Sequence, residues 1–236
     1  MEVQVVTIGQ FRPMNNLQFG YHLNADSNDM MGNQNGVDYN MAYTGDILGP
    51  AAYYNGSSAR VYLSIATVHA LLGQATFSIA VLVRPDTGWE TYPIVSRCYV
   101  STPTRYGLDW TITTSGMEIH RWQGSSTDYN MSTSYSFTAE HVYLIGLTYN
   151  KSNGATVFYI YPLYPAEASK IASGSLGTGD VGITATYDDG WNLGARLRKV
   201  SPVWGKGSMN ECLIFDDVRT AKWYAMYAQL LKTGFE

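Results

Sequence analysis

Glu118 and His120 stand two residues apart in a stretch rich in β-formers. On a strand that spacing puts both on one face. A carboxylate beside an imidazole can pass a proton, or can simply form a polar surface pair. Three further acids raise the same question: Glu211, Asp216 and Asp217. Cleaving a glycosidic bond needs two carboxylates placed around it. On a strand they would read as alternating acids, and no such run occurs. Asp216 and Asp217 are consecutive, so a strand would point them to opposite faces; a turn leading into a helix accounts for them. The histidines, His22, His69, His120 and His141, are too far apart in sequence for a zinc-binding spacing. No G-x-S-x-G nucleophile elbow occurs. Gly205-Lys206-Gly207-Ser208 reads as a turn and not a phosphate loop, because Gly207 follows the lysine and Val200 fills the upstream glycine position. No catalytic residue is assigned, and the chain is not expected to be an enzyme.

Residues suited to binding are more evident. Trp110, Trp122, Trp191 and Trp204, amid many tyrosines, could stack on sugar rings; the same side chains could equally line a core. Asp109, Asp180, Asp188, Asp189 and Asn192 could offer loop oxygens to calcium, or stand merely solvated. Calcium is thus the one metal considered, and no cofactor is assigned. The N-x-S/T triplets at Asn55, Asn130 and Asn150 read as chance. Cys98 and Cys212 read as two buried thiols, with a bridge across two sheets as the alternative.

The elements that must position these residues are strands. Residues 2–11 alternate weakly and read as a first strand. Residues 24–50 are rich in Asn, Asp, Gly and Met without a period of 2 or 3.6, and read as a polar arm. Residues 51–54 and 59–65 flank Asn55-Gly56, a hairpin signal. Strands follow at 76–83, 94–100, 106–113, 117–122, 141–149, 156–161, 191–197 and 209–215, with 164–190 mostly loop. Near the end, Trp223, Met226, Tyr227, Leu230 and Leu231 recur at helical spacing, with Gly234 as a C-cap. Many short strands plus one terminal helix predict an all-β sandwich.

Composition agrees. Of 236 residues, 14% are aromatic and only 14% charged, against a usual ~25% charged. That balance argues against a coiled coil or a disordered chain. A net charge of −4 without a basic patch argues against nucleic-acid binding. No apolar run approaches the ~18 residues of a membrane helix. The opening Met1-Glu2-Val3-Gln4 lacks a basic segment followed by an apolar one, so no secretory leader is expected and synthesis in a reducing cytoplasm is.

The order of segments resembles the laminin-G-like, concanavalin A-like jelly-roll modules. The resemblance runs through Ala52–Ser58, Val61-Tyr62-Leu63, Phe77–Pro85, Glu140–Asn150, Asn192-Leu193-Gly194-Ala195-Arg196 and Gly207–Thr220. It departs at Leu82, where such modules carry Trp, and after Val157–Tyr161, where they carry Asp-Gly. Arg219–Tyr227 looks like the ends of such modules in tailed-phage structural proteins. The resemblance implies a two-sheet antiparallel jelly roll with a short C-terminal helix over 50–236, and the N-terminal strand and arm over 1–49 lie outside it. It also implies a structural or interaction protein of a bacteriophage virion surface: a capsid decoration, head-fibre or tail-associated subunit, with adhesion to host glycan as a further role. A homo-oligomer and other virion proteins are the expected partners. Met14, Leu17, Phe19, Met30, Met31 and Met41, irregularly spaced and adaptable, are the expected partner contacts of the arm. The alternatives are a glycan-binding module, calcium-assisted or not, and a glycosidase on the same fold.

Overall fold

The two most continuously apolar stretches pair with each other at the centre of a sheet. They are β6 (Phe77–Pro85) and β11 (Val142–Tyr149), antiparallel with Tyr143 opposite Val83 and Tyr149 opposite Phe77. A strand buried on both faces has no need to alternate. Phe77, Ile79, Val81 and Val83 enter the core between two sheets, whereas Ala80 and Leu82 enter a second core on the opposite side.

The computed structural model describes residues 14–47, 49–73, 75–101, 104–123, 127–181, 190–197 and 202–233. Before β6 come β1 (Leu17–His22), β2 (Val37–Tyr39), β3 (Ala42–Asp46), β4 (Gly49–Asn55), β5 (Arg60–Leu63) and α1 (Ile65–Leu72). Between β6 and β11 lie β7 (Thr91–Ser101), β8 (Thr104–Thr113), β9 (Gly116–Gln123) and β10 (Thr127–Ser134). After β11 come β12 (Ala155–Tyr164), β13 (Lys170–Ser175), β14 (Trp191–Leu193), β15 (Ala195–Arg196), β16 (Val203–Trp204), β17 (Lys206–Phe215) and α2 (Ala221–Lys232). The first sheet runs β13-β12-β11-β6-β17-β4-β3, and β1 pairs with the far half of β17. The second runs β10-β9-β8-β7-β14-β5-β2, and β15–β16 is a separate short hairpin. This is the expected two-sheet antiparallel sandwich with a C-terminal helix. Among the described residues, no helix is long and apolar enough to cross a membrane.

α2 closes the second core. Thr220 caps it by accepting a hydrogen bond from the Trp223 amide at 3.2 Å. Trp223, Tyr224, Tyr227 and Ala228 are buried against the outer face of the first sheet. The Tyr224 hydroxyl donates to the Ile79 and Leu147 carbonyls, and its ring lies over Gly146, where a Cβ would come within 2.2 Å of it. This fixes the helix's rotation, so Met226, expected on the buried face, is exposed instead. Thr233 occupies the cap position, and Gly234 lies outside the described residues.

The N-terminal expectations need correction. Residues 2–11 lie outside the described residues. The following segment is part of the sandwich: β1 joins the first sheet, β2 pairs with β5 in the second, and β3 pairs with β4 straight across the expected boundary at 49/50. Of the expected partner contacts, Leu17 and Phe19 are buried in the chain's own cores, and Met14 and Met41 pack half-buried against them. Only Met30 and Met31 remain exposed. The polar composition did not prevent docking, because hydrogen bonds replace apolar burial. The buried Asp29 carboxylate accepts from the amides of Gly20, Met31, Asn33 and Gln34.

Asn55-Gly56 is also no hairpin, since β4 and β5 belong to different sheets. The Asn55 side chain instead accepts from the amides of Ser57, Ser58 and Ala59, shaping a crossover loop. Asn150 likewise serves a turn, accepting from Ser152. Cys212 is a free thiol in the core, its ionisation pushed up by burial. The Cys98 side chain lies outside what is described.

Candidate functional site

The four candidate tryptophans go to different places. Trp110 and Trp191 are fully buried between the sheets, so neither offers a face to a ligand. Trp122 is on the outer face of the second sheet but is only 3% exposed, stacked on His120 with ring centres 5.3 Å apart. The core explanation therefore holds for Trp110 and Trp191, and coverage removes Trp122. Trp204 is half-buried, the least covered of the chain's six tryptophans.

Backbone geometry brings Trp204 to the surface. β14 ends at Gly194, whose φ of 76° and contact with the Tyr54 ring, 1.9 Å from a notional Cβ, admit only glycine. The chain turns there and returns as β15–β16, which packs on β7. The Gly205 amide closes the base of the hairpin on the Gly194 carbonyl at 2.7 Å. Trp204 then lines a cleft of about 380 Å³ with Gly88, Trp89, Glu90, Thr91 and Lys206.

The far wall of this cleft, the 86–90 turn, is held from several sides. Tyr53 donates to the Asp86 carboxylate at 2.9 Å. The Thr87 amide donates to Asp86 and to Glu140, which also pairs with Arg84. Lys206 donates to the Thr87 carbonyl, and Trp89 packs edge-on against Phe137. An aromatic face beside a carboxylate, a hydroxyl and an ammonium, on a wall set before binding, suits a polyhydroxylated ring. Sequence reasoning singles out neither Trp89 nor Glu90 and reads Lys206 only as part of a turn, because these residues converge from separate segments. Gly205–Ser208 is not a phosphate loop. Lys206 opens β17, and a Cβ at Gly207 would fall 2.3 Å from the Arg84 carbonyl.

A second polar feature lies on the outer face of the second sheet. Asn192, Ser96, Asp109, His120 and Asn130 are register partners across β14, β7, β8, β9 and β10, a row roughly 19 Å wide at the usual strand spacing. Asp109 is fully buried and accepts from Arg196 of the β15–β16 hairpin at 2.6 Å. That ion pair removes Asp109 from the calcium candidates. Asp180 pairs with Lys151, Asn192 is buried, and Asp188 and Asp189 lie outside the described residues.

Glu118 and His120 do share this face, as their spacing required. His120 stands 3.9 Å from Glu118 and 3.3 Å from Asp128. The neighbouring His120 imidazole holds the Glu118 carboxyl below its usual range, and Glu118 in turn raises His120. A shallow cleft of about 240 Å³ lined by Thr113, Ser115, Glu118, Ser132, Thr133 and Ser134 continues the face.

The other candidate acids are dispersed. Glu211 is buried beneath α2, held by Tyr227 and by His22 at 3.1 Å. Asp216 and Asp217 accept from Gln18 and Asn16 at the turn before α2. Glu118 is on the other sheet, so these four carboxylates do not flank one bond. Among the described residues, no group of three His, Cys, Asp or Glu side chains is arranged to hold a metal ion.

No protein-family model matches the chain, and no curated protein matches its sequence. Solved structures do resemble it. Domain 4 of AbnA, an extracellular arabinanase of Geobacillus stearothermophilus solved with arabinotriose, superposes with a TM-score of 0.60 at 19% identity, covering 91% of this chain and 98% of that one. The binding domain of botulinum neurotoxin DC in complex with SialylT gives 0.62 at 13% identity, over 92% of this chain but 52% of that one. A Trypanosoma rangeli sialidase mutant gives 0.59 at 13% identity, over 93% of this chain and 34% of that one. The chain thus spans about half of the toxin structure and a third of the sialidase. At these identities the likeness is one of fold alone, that of a β-sandwich.

Proposed function

We propose that the chain is a non-enzymatic glycan-binding module and that the Trp204 cleft is its saccharide site. One observation carries the reading: the least covered tryptophan of the molecule lines a cleft with Glu90, Thr91 and Lys206. Two proteins of similar fold were solved with saccharide-type ligands, arabinotriose and SialylT, which supports the same reading. Binding rests on stacking over Trp204 and hydrogen bonds to the rigid 86–90 turn. Calorimetric titration with arabino-oligosaccharides and sialylated oligosaccharides tests it. The Trp204→Ala variant should bind at least tenfold more weakly, about 1.4 kcal/mol, with an unchanged melting temperature. Equal affinity in the variant, or no glycan bound by the native protein across a broad array, refutes the proposal.

The finer setting, a subunit on a bacteriophage particle that contacts host glycan and other virion proteins, belongs to the same proposal. Met30 and Met31, beside β1, and Val37 and Tyr39, on the edge strand β2, are exposed and suit a protein contact. Mass spectrometry of purified particles checks this setting.

A further inference from the structure

Arg121 leaves β9 on the face shared with Met117 and Ile119, toward the space between the sheets, and is 1% exposed. Its surroundings satisfy only part of it. Nη1 donates to the Leu176 carbonyl at a long 3.4 Å. The guanidinium carbon sits 4.9 Å from the centre of the Tyr149 ring, which covers one face. Nε and Nη2 are buried and have no hydrogen-bond partner among the described residues. These two nitrogens form one edge of the guanidinium, with parallel N–H groups. That edge matches the two oxygens of a carboxylate.

No buried acid of the described residues faces that edge. Asp29 is engaged by backbone amides, Asp109 by Arg196, and Glu211 by His22 and Tyr227. Asp180, the acid whose charge reaches Arg121, is exposed and paired with Lys151. Among the described residues the neighbourhood is otherwise cationic or neutral. Arg97 lies in the same register row, one strand beyond Leu108, with Nη1 3.2 Å from His69 Nδ1. Burial keeps His69 neutral, so it adds no further positive charge. A buried guanidinium without an anion is costly, and an incoming carboxylate relieves that cost.

We propose that Arg121 anchors a second ligand site, independent of the Trp204 cleft, that takes a carboxylate-bearing ligand at the end of the sandwich bordered by Tyr129, Tyr149 and Leu176. The Tyr149 hydroxyl and the Tyr129 ring both meet Gly177, so one wall is aromatic and set. The ligand is a small free carboxylate or the acid group of a sugar. The segment between the buried Leu176 and Val181, whose Leu176 carbonyl meets Arg121, is exposed or half-exposed.

The test uses the full chain at constant ionic strength, titrated with acetate, D-glucuronate and, as a neutral control, D-glucose. The Arg121 Nε–H resonance should shift saturably with a carboxylate and not with glucose, a readout that needs no variant. Melting temperature should rise with the same ligand. A response to acetate equal to that of glucuronate assigns a bare carboxylate; a response to glucuronate alone assigns an acidic sugar. Arg121→Met should abolish the melting shift, and Arg121→Lys, which keeps the charge but loses the fork, should bind at least tenfold more weakly. Trp204→Ala should leave the response intact. The proposal is overturned if neither carboxylate moves the Arg121 resonance beyond the effect of chloride, or if Arg121→Met responds as the native protein does.

Discussion

The outer faces of the two sheets differ more than their strands do. On the first, Ala80, Leu82, Leu144, Leu213 and Phe215 present an apolar surface that α2 covers with Trp223, Tyr224 and Tyr227. On the second, the corresponding positions are Ser96, Asp109, His120 and Asn130, and the cover is a short hairpin held by the Asp109–Arg196 pair. With α2 placed on one face, the other is left to polar groups and to the hairpin that carries Trp204. The covered face is closed by apolar packing, and the polar face is the one on which the proposed saccharide site stands.

This contrast can be broken at either face. The largest effect is expected from Tyr224→Ala, which removes a buried ring and two hydrogen bonds. It should lower the unfolding free energy by about 4 kcal/mol in urea denaturation, whereas Trp204→Ala should change it by less than about 1 kcal/mol. Similar losses for both would erase the distinction.

Asp109→Ala comes next. It leaves Arg196 largely buried without its ion-pair partner and should cost about 3 kcal/mol. It should also weaken saccharide binding, since the β15–β16 hairpin loses its anchor. A double-mutant cycle with Arg196→Met separates the pair from its context.

The pH dependence contributed by the inward-facing His69 and by His120 on the polar outer face should have opposite signs. Burial, then Arg97, lowers His69 from 6.5 to about 4. The unfolded chain therefore binds a proton between those values that the native chain refuses. Stability should fall as pH drops through that window, by at most about 3 kcal/mol. His69→Gln should flatten that part of the curve.

His120 should contribute the smallest effect. Its ionisation is raised by Glu118, so its contribution is complete below the ordinary histidine range and is lost as pH rises through the raised value. Comparing His120→Gln with the native protein over that range checks the sign.

Much of the frame was legible because strand signals are local. β6, β11, the Asn150–Gly154 hairpin and α2 each declare themselves within about a dozen residues. The polar strand β10, the exposed β13 and the short α1 did not, because each lacks an apolar run of its own and is held by its neighbours. The Glu118–His120 pair was legible because alternation fixes which residues share a face.

By itself the sequence determined two things: that strands alternate between faces, and that the chain has enough apolar faces for two sheets and one helix. Only the tertiary structure decided which tryptophan stays near water. Trp110, Trp122, Trp191 and Trp204 look alike in sequence, and their exposure depends on the strand or ring laid against each. It alone drew residues 14–47 into both sheets, through register with β17, β5 and β4 and through the amides gathered on Asp29. It alone assembled the cleft from Gly88–Thr91, Trp204 and Lys206. Periodicity records the direction of a side chain relative to its own backbone; burial and partnership are properties of pairs distant along the chain, set when the sheets pack.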